Sequence, residues 1–295
     1  MQISKSHERM LKNFYKRYPV DHWLYKLNYL KNSIDNFDQI KDLIYKDLKD
    51  TKDDDCLLMF KTEIHFTYFQ IVETLFELIF AFIKDNDLFL WLNLSITNRR
   101  KINKHLAIIK KIADKDFSDI NITKVVPSTK ENTKIEIPFL QYVFFFGQAL
   151  IPELTVEEIK LNLVKIKESL TIFAKDFSDR NEYNAFKHTH RLYHSKNVLK
   201  IAPTGTNDFK NFGETENAFN FIERVKGKIQ LTTKSFDPDR DYELSLLANN
   251  MLSNIIVLRK QYYHNIQAAF YTFHNLDLND ISKMKSSLHK FSLSL

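Results

Sequence analysis

Four glycines in 295 residues are the strongest constraint this chain places on its own fold. Dinucleotide-binding α/β sheets, β-propellers and collagen-like helices need glycine where the backbone turns tightly or closely approaches a neighbour, so the composition argues against them. Helix interiors need none. The expected class is therefore all-α in the main, a bundle of long antiparallel helices, and the apolar periodicity agrees. The clearest segment is Phe66 to Ile83, where Gln70, Glu73, Glu77 and Lys84 recur at spacings of three, four and seven residues. That pattern makes an amphipathic helix with one narrow polar stripe and a wide apolar face. Its length would suit a membrane span, but the two glutamates assign it to the centre of a soluble bundle, and no membrane partner is expected.

Other helices are predicted from spacing and end signals. A short one runs from Lys5 to Arg17 and closes at Tyr18-Pro19. A second starts at Asp21 and carries Leu24, Leu27, Leu30, Ile34, Phe37, Ile40, Ile44 and Leu48. The charged run ending at Asp55 is a turn before a long helix from Leu57 to Lys84, which Asp85-Asn86-Asp87 ends. A helix from Thr97 to Ala113 should turn Ile102, Leu106, Ile109 and Ile112 inward. The polar stretch from Asp114 to Lys134, containing Pro127, reads as a loop. An aromatic helix follows Pro138. Thr155 and Glu158 carry the capping-box signature of a strong helix start, and Ser178 is the expected N-cap of a helix reaching about His194. The period then changes. Segments at Asn197 to Ala202, Ala218 to Arg224 and Lys228 to Lys234, with a Lys226-Gly227 turn, read as a small β-meander inserted in the helical protein. Pro238 opens a last helix reaching about His274. The expected organisation is an N-terminal helical segment over 1–55, then a helical bundle over 56–295 with its β insertion at about 196–235.

The net charge of +6 is concentrated rather than spread. Residues 95–111 hold six Lys/Arg and no acid, and residues 180–200 hold five against one Glu. Such patches fit a polyanion such as RNA. One cysteine, Cys56, allows no intramolecular disulfide and no multi-cysteine metal site, which fits a reducing, cytoplasmic compartment. The N-terminus has cations but no apolar core of a secretory signal.

On a helical wheel Arg180, Asn181, Asn184, Lys187, His188, Arg191 and His194 fall within a sector of roughly 140°. Cations to hold an anion, imidazoles to move a proton near neutral pH and amides to orient it are the parts of phosphate chemistry. The bland alternative is the wet face of an amphipathic helix. The run DRNEYNAFKH, with Arg180-Asn181 followed by His188, resembles the HEPN superfamily of helical-bundle domains. Many of those domains are metal-independent ribonucleases in stress, toxin or antiviral systems. Here seven residues separate Arg180 from His188, a wider spacing than the family's usual one. The resemblance implies Arg180, Asn181 and His188 as catalytic residues: His188 as general acid or base, Arg180 holding the scissile phosphate, Asn181 and Asn184 orienting. Asn184, Lys187, Arg191, His194, Arg99 and Arg100 would bind substrate. It also implies a homodimer and no cofactor. The competing reading is a non-catalytic interaction module binding protein or nucleic acid through the same basic face.

Other constellations carry less. His190 and His194 have metal-ligand spacing, but Arg191 stands where a zinc protease needs Glu, so no metal is expected. Glu73 and Glu77 read as a solvated stripe or a salt-bridge partner. Asp237 reads as a helix cap beside Asp239 and Asp241, and the aromatics from Phe139 to Phe146 read as core.

Overall fold

The computed structural model describes residues 5–46, 52–84, 90–95, 99–127, 134–146, 154–189, 192–194, 200–201, 210–211, 217–225, 228–264, 269–278 and 288–291. Helices come first: α1 (Lys5–Arg17), α2 (His22–Asp35), α3 (Phe37–Tyr45), α4 (Asp53–Lys84), α5 (Leu90–Ser95) and α6 (Arg99–Ala113). A hairpin of β1 (Thr123–Pro127) and β2 (Lys134–Pro138) precedes α7 (Phe139–Phe145), α8 (Val156–Ser178) and α9 (Asn181–Thr189). Short strands follow: β3 (Leu192–His194), β4 (Lys200–Ile201), β5 (Lys210–Asn211), β6 (Ala218–Val225) and β7 (Lys228–Ser235). Helix α10 (Pro238–His264) and strand β8 (Leu288–Phe291) come last among the described elements. The protein is mainly helical with a small β component. The Asp85-Asn86-Asp87 breaker, the Lys226-Gly227 turn and the first residues of the Asn197 strand lie outside the described residues.

Several boundaries differ from the periodicity reading, each for a local reason. The expected continuous second helix is broken at Asn36, whose Nδ2 donates to Asn32 O (3.0 Å) and competes with the backbone ladder. The expected loop before Lys134 contains β1, which pairs antiparallel with β2 from Thr123↔Pro138 to Pro127↔Lys134. Ser178 ends α8 instead of capping the next helix, because Asp179 turns back with its N–H on Asp176 O (3.2 Å). Ile102 is 47% exposed, and Ile108 takes its place in the buried face of α6 with Ile109 and Ile112. The expected last helix does not reach His274, because side chains of α10 itself and of α8 satisfy that segment's backbone. Asn254 donates to Tyr271 O (2.7 Å) and accepts from Tyr271 N (2.7 Å), and Asn162 accepts the Phe273 N–H. The capping box of α8 is present, with Glu158 N donating to Thr155 Oγ1 (3.2 Å) and Thr155 N donating to Glu158 (2.8 Å).

Of the expected meander, β6 and β7 pair over their whole length, from Ala218↔Ser235 to Val225↔Lys228. They form the middle of a four-stranded sheet in the order β3-β6-β7-β8, and β4 pairs with β5. The chain divides into two compact units, each assembled from three segments. The first takes Met1–Tyr25, Gln70–Asp179 and Ser245–Asn279; the second takes Lys26–Phe69, Arg180–Leu244 and Asp280–Leu295. In the first, Ile71, Val72, Leu75, Phe76, Leu78, Ile79 and Phe82 of α4 are buried. The polar stripe faces α6, with Glu77 on His105 (2.8 Å) and Lys101 (3.3 Å). The most apolar window of α4 is long enough to cross a membrane, and 72% of it is buried, as in a core helix. In the second unit α2 is tied to α4 and α10 by Lys26 on Glu63 (3.1 Å) and Lys31 on Asp239 (3.4 Å).

Glycine scarcity shows at the helix ends. Helix C-termini expose carbonyls that are commonly closed by a left-handed residue, usually glycine. Here Lys115 (φ 63°) and Phe146 (φ 44°) take that conformation after α6 and α7. Around Lys115, Asp116 N donates to Lys111 O (2.9 Å) and Lys115 N to Ile112 O (2.9 Å), a Schellman closure. Buried cations close others: Lys124 Nζ donates to Ile83 O (3.0 Å) at the end of α4. Lys115→Gly should therefore stabilise the protein by about 0.5–1 kcal/mol, because the Cβ strain outweighs the added chain entropy. A denaturation midpoint that falls in this variant would count against the closure described.

Candidate functional site

Helix α9 carries the sequence motif and is shorter than its periodicity suggested. Arg180 precedes it as the capping residue, its carbonyl accepting Asn184 N–H (3.0 Å). Asn181 and Lys187 are exposed, Asn184 and Arg180 half-buried, and Glu182, Tyr183 and Ala185 buried. The buried side is fixed by rings: Phe186 stacks on Phe66 (3.9 Å, 9°) and Tyr183 on Phe69 (5.4 Å, 20°). Lys187 Nζ lies 5.5 Å from the centre of the Tyr183 ring. His188 lies within α9, but its side chain, together with His190 and Arg191, falls outside the described residues. Arg180 and His188 stand at opposite ends of α9, separated by about 12 Å of helical rise.

His194 is not on that helix. It lies on β3 opposite Phe219, its Nε2 3.0 Å from Thr62 Oγ1. The Thr62 hydroxyl donates to Leu58 O (2.6 Å), so the imidazole donates to Thr62, and desolvation lowers its pKa. Arg99 and Arg100 open α6 in the other unit. Arg100, Asn103, Lys104, Ala107, Lys110 and Lys111 are exposed, and the Arg99 side chain is outside the described residues. Spacings of three, four and seven residues place these on one ridge, of which Lys111 also pairs with Asp119 (3.0 Å).

A second constellation in the α9 unit was not apparent in the sequence. His65 of α4 donates from Nδ1 to Asp241 Oδ2 of α10 (2.6 Å) and points Nε2 at Glu182 Oε1 of α9 (3.7 Å). Lys234 of β7 meets the same Glu182 oxygen at 2.8 Å, and Arg240 lies 3.6 Å from Asp241. His65, Glu182, Lys234 and Asp241 are all buried. Rings wall the imidazole: Phe236 at 4.9 Å, Phe69 at 5.0 Å and Phe219 at 5.5 Å. Burial, the largest single influence, pushes the His65 pKa down, but Asp241 and Glu182 together outweigh it and hold it above its ordinary value. Burial likewise pushes Glu182 up, and Lys234 with His65 outweighs it and keeps the carboxyl ionised. The only sequence signal was a set of lone charged residues on otherwise apolar faces. Asp237 is the cap, as expected, accepting Asp239 N–H (3.0 Å) and Arg240 N–H (3.1 Å), whereas Asp241 turns to His65. Among the described residues no group of three or more His, Cys, Asp or Glu side chains is arranged to hold a metal ion.

Each unit thus carries its own candidate feature: the first an exposed cationic ridge on α6, the second the partly polar helix α9 anchored by rings and a buried ionic cluster. Comparison of the chain with protein-family models, curated proteins and solved structures gives no match.

Proposed function

We propose that this protein is an RNA-directed helical protein of the HEPN-like kind, contacting RNA through cationic helix faces. The observation that carries the reading is the α6 ridge, where Arg100, Lys104 and Lys110 are exposed on one side of a helix whose other side is core. A one-sided row of solvated cations matches a phosphate backbone. Within this reading Arg180, Asn181 and His188 are the catalytic residues, with His188 transferring the proton of the ribose 2′-hydroxyl and Arg180 neutralising the phosphate. The rise along α9 favours a homodimer, in which a second copy brings its motif to the same phosphate.

Binding of a fluorescent single-stranded RNA is the first test. Affinity should fall linearly with salt on logarithmic axes. Changing Arg100, Lys104 and Lys110 together to Glu should reduce the slope by about 2 and weaken binding by tenfold or more. No RNA binding at low salt would sink the proposal. Cleavage is the second test, with RNA products ending in 2′,3′-cyclic phosphate, formed in EDTA and lost in Arg180→Ala and His188→Ala with folding intact. RNA that is bound but left whole, with His188→Ala binding unchanged, would favour the non-catalytic interaction module.

A further inference from the structure

We propose that the buried cluster of His65, Glu182, Lys234 and Asp241 is a proton-operated latch, coupling the seating of α9 and β7 against α4 and α10 to pH. Each member comes from a different element, so the cluster joins all four at one point. Glu182 is fully buried, and three phenylalanine rings stand around the imidazole, so the charges interact through little intervening water. The charged groups facing the centre are Glu182 from α9, Lys234 from β7, and Asp241 with Arg240 behind it from α10.

The geometry gives the proton its leverage. Asp241 accepts the Nδ1–H of His65 and fixes that tautomer, so the second proton of the imidazolium is on Nε2. Protonated, Nε2–H points at Glu182 Oε1 across 3.7 Å, an attraction between opposite charges. Deprotonated, the same nitrogen presents a lone pair to a carboxylate oxygen, and the contact becomes repulsive. Loss of one proton therefore reverses the sign of the α4–α9 contact inside an apolar wall.

The pH window follows from the directions already described. His65 is held above its ordinary value of about 6.5, so its contribution is complete below that pH and is lost as pH rises through the folded value. Glu182 is held below its ordinary value of about 4.3, so its contribution is complete above that pH and fails as pH falls through the folded value. The latch is closed between these limits and opens on the alkaline side. This inference does not depend on the RNA reading, although α9 is the helix that carries Arg180, Asn181 and His188.

Two measurements on the full chain test it. The first is an NMR titration of the ring Cε1–H signals, with His65 assigned through backbone connectivity. The expected midpoint lies above about 6.5, and it should fall in Glu182→Gln, which keeps the side-chain shape but removes the charge. The second is hydrogen exchange, corrected for intrinsic rate, of amides in 181–189 and 228–235 across pH. The opening constant should rise up to tenfold per pH unit above about 6.5 and level off past the His65 midpoint, and His65→Gln should flatten the profile. A His65 midpoint at or below 6.5 overturns the proposal, as does an unchanged pH profile in His65→Gln. Should His65→Gln fail to fold, the wild-type midpoint decides the question alone.

Discussion

Arg259→Ala is expected to lower the stability of this protein by about 3–5 kcal/mol, one of the two largest effects of a single substitution proposed for it. The guanidinium is fully buried in the first unit. Its Nη1 donates to Val143 O (2.8 Å) and Ile255 O (3.1 Å), and its Nη2 donates to Tyr142 O (3.1 Å). Tyr142 and Val143 lie in the last turn of α7, where carbonyls have no helical partner and the helix dipole is negative. The planar cation therefore closes the C-terminus of α7. Its faces are covered by Phe82 (4.2 Å), Phe146 (4.7 Å) and Tyr142 (5.2 Å). Truncation strands two buried carbonyls and opens a cavity among the rings. Arg259→Lys should recover only part of the loss, because an ammonium neither spans both carbonyls in a plane nor stacks on rings. Urea titration reads both variants: a lower midpoint at unchanged slope is expected. A midpoint within the error of wild type for Arg259→Ala would show that the guanidinium does not hold α7.

The second large effect concerns the cluster beneath α9. Lys234→Met should destabilise by about 3–5 kcal/mol, because it leaves the fully buried Glu182 carboxylate without its cation. Adding Glu182→Gln to that variant should restore part of the stability, since a neutral amide has less need of a counter-charge. The pair would then be non-additive by more than about 1 kcal/mol in a double-mutant cycle. The Lys234→Met loss should also shrink below about pH 5, where the isolated Glu182 can take up a proton. Additive effects, or a loss independent of pH, would mean that Lys234 acts through packing of its stem alone.

Local rules were legible where they act over one or two turns. The α4 stripe follows from the spacing of Gln70, Glu73 and Glu77, which are half-buried on a largely buried helix, while the Lys84 side chain lies outside the described residues. The start of α8 was read from Thr155 and Glu158, and the β6–β7 pair from its alternation. Spacing does not show what a side chain does to the backbone, whether local or in another segment. Asn36 broke a regular apolar period by bonding its own backbone. Asn254 and Asn162 held residues 271 and 273 in a non-helical course. Extending α9 at helical period puts His194 on its stripe, but His194 lies on β3 and pairs with Phe219. Of the motif residues, the exposure of Asn181 and Lys187 agrees with the wheel, and the fully buried Glu182 between them was not foreseen.

What the sequence by itself determined is the class: too little glycine for tight turns and close backbone approach, and apolar spacings that bury one side of a helix. Those are short-range properties, set by φ, ψ and a period of about 3.6 residues. Tertiary structure alone decided which charges meet. His65, Glu182 and the Lys234–Asp241 segment are distant along the chain, as Arg259 is from Val143, and no spacing connects them. Each looks like an ordinary polar residue until packing removes water from around it. Only then does an ionic group require a specific partner, because the solvent that would have satisfied it is gone.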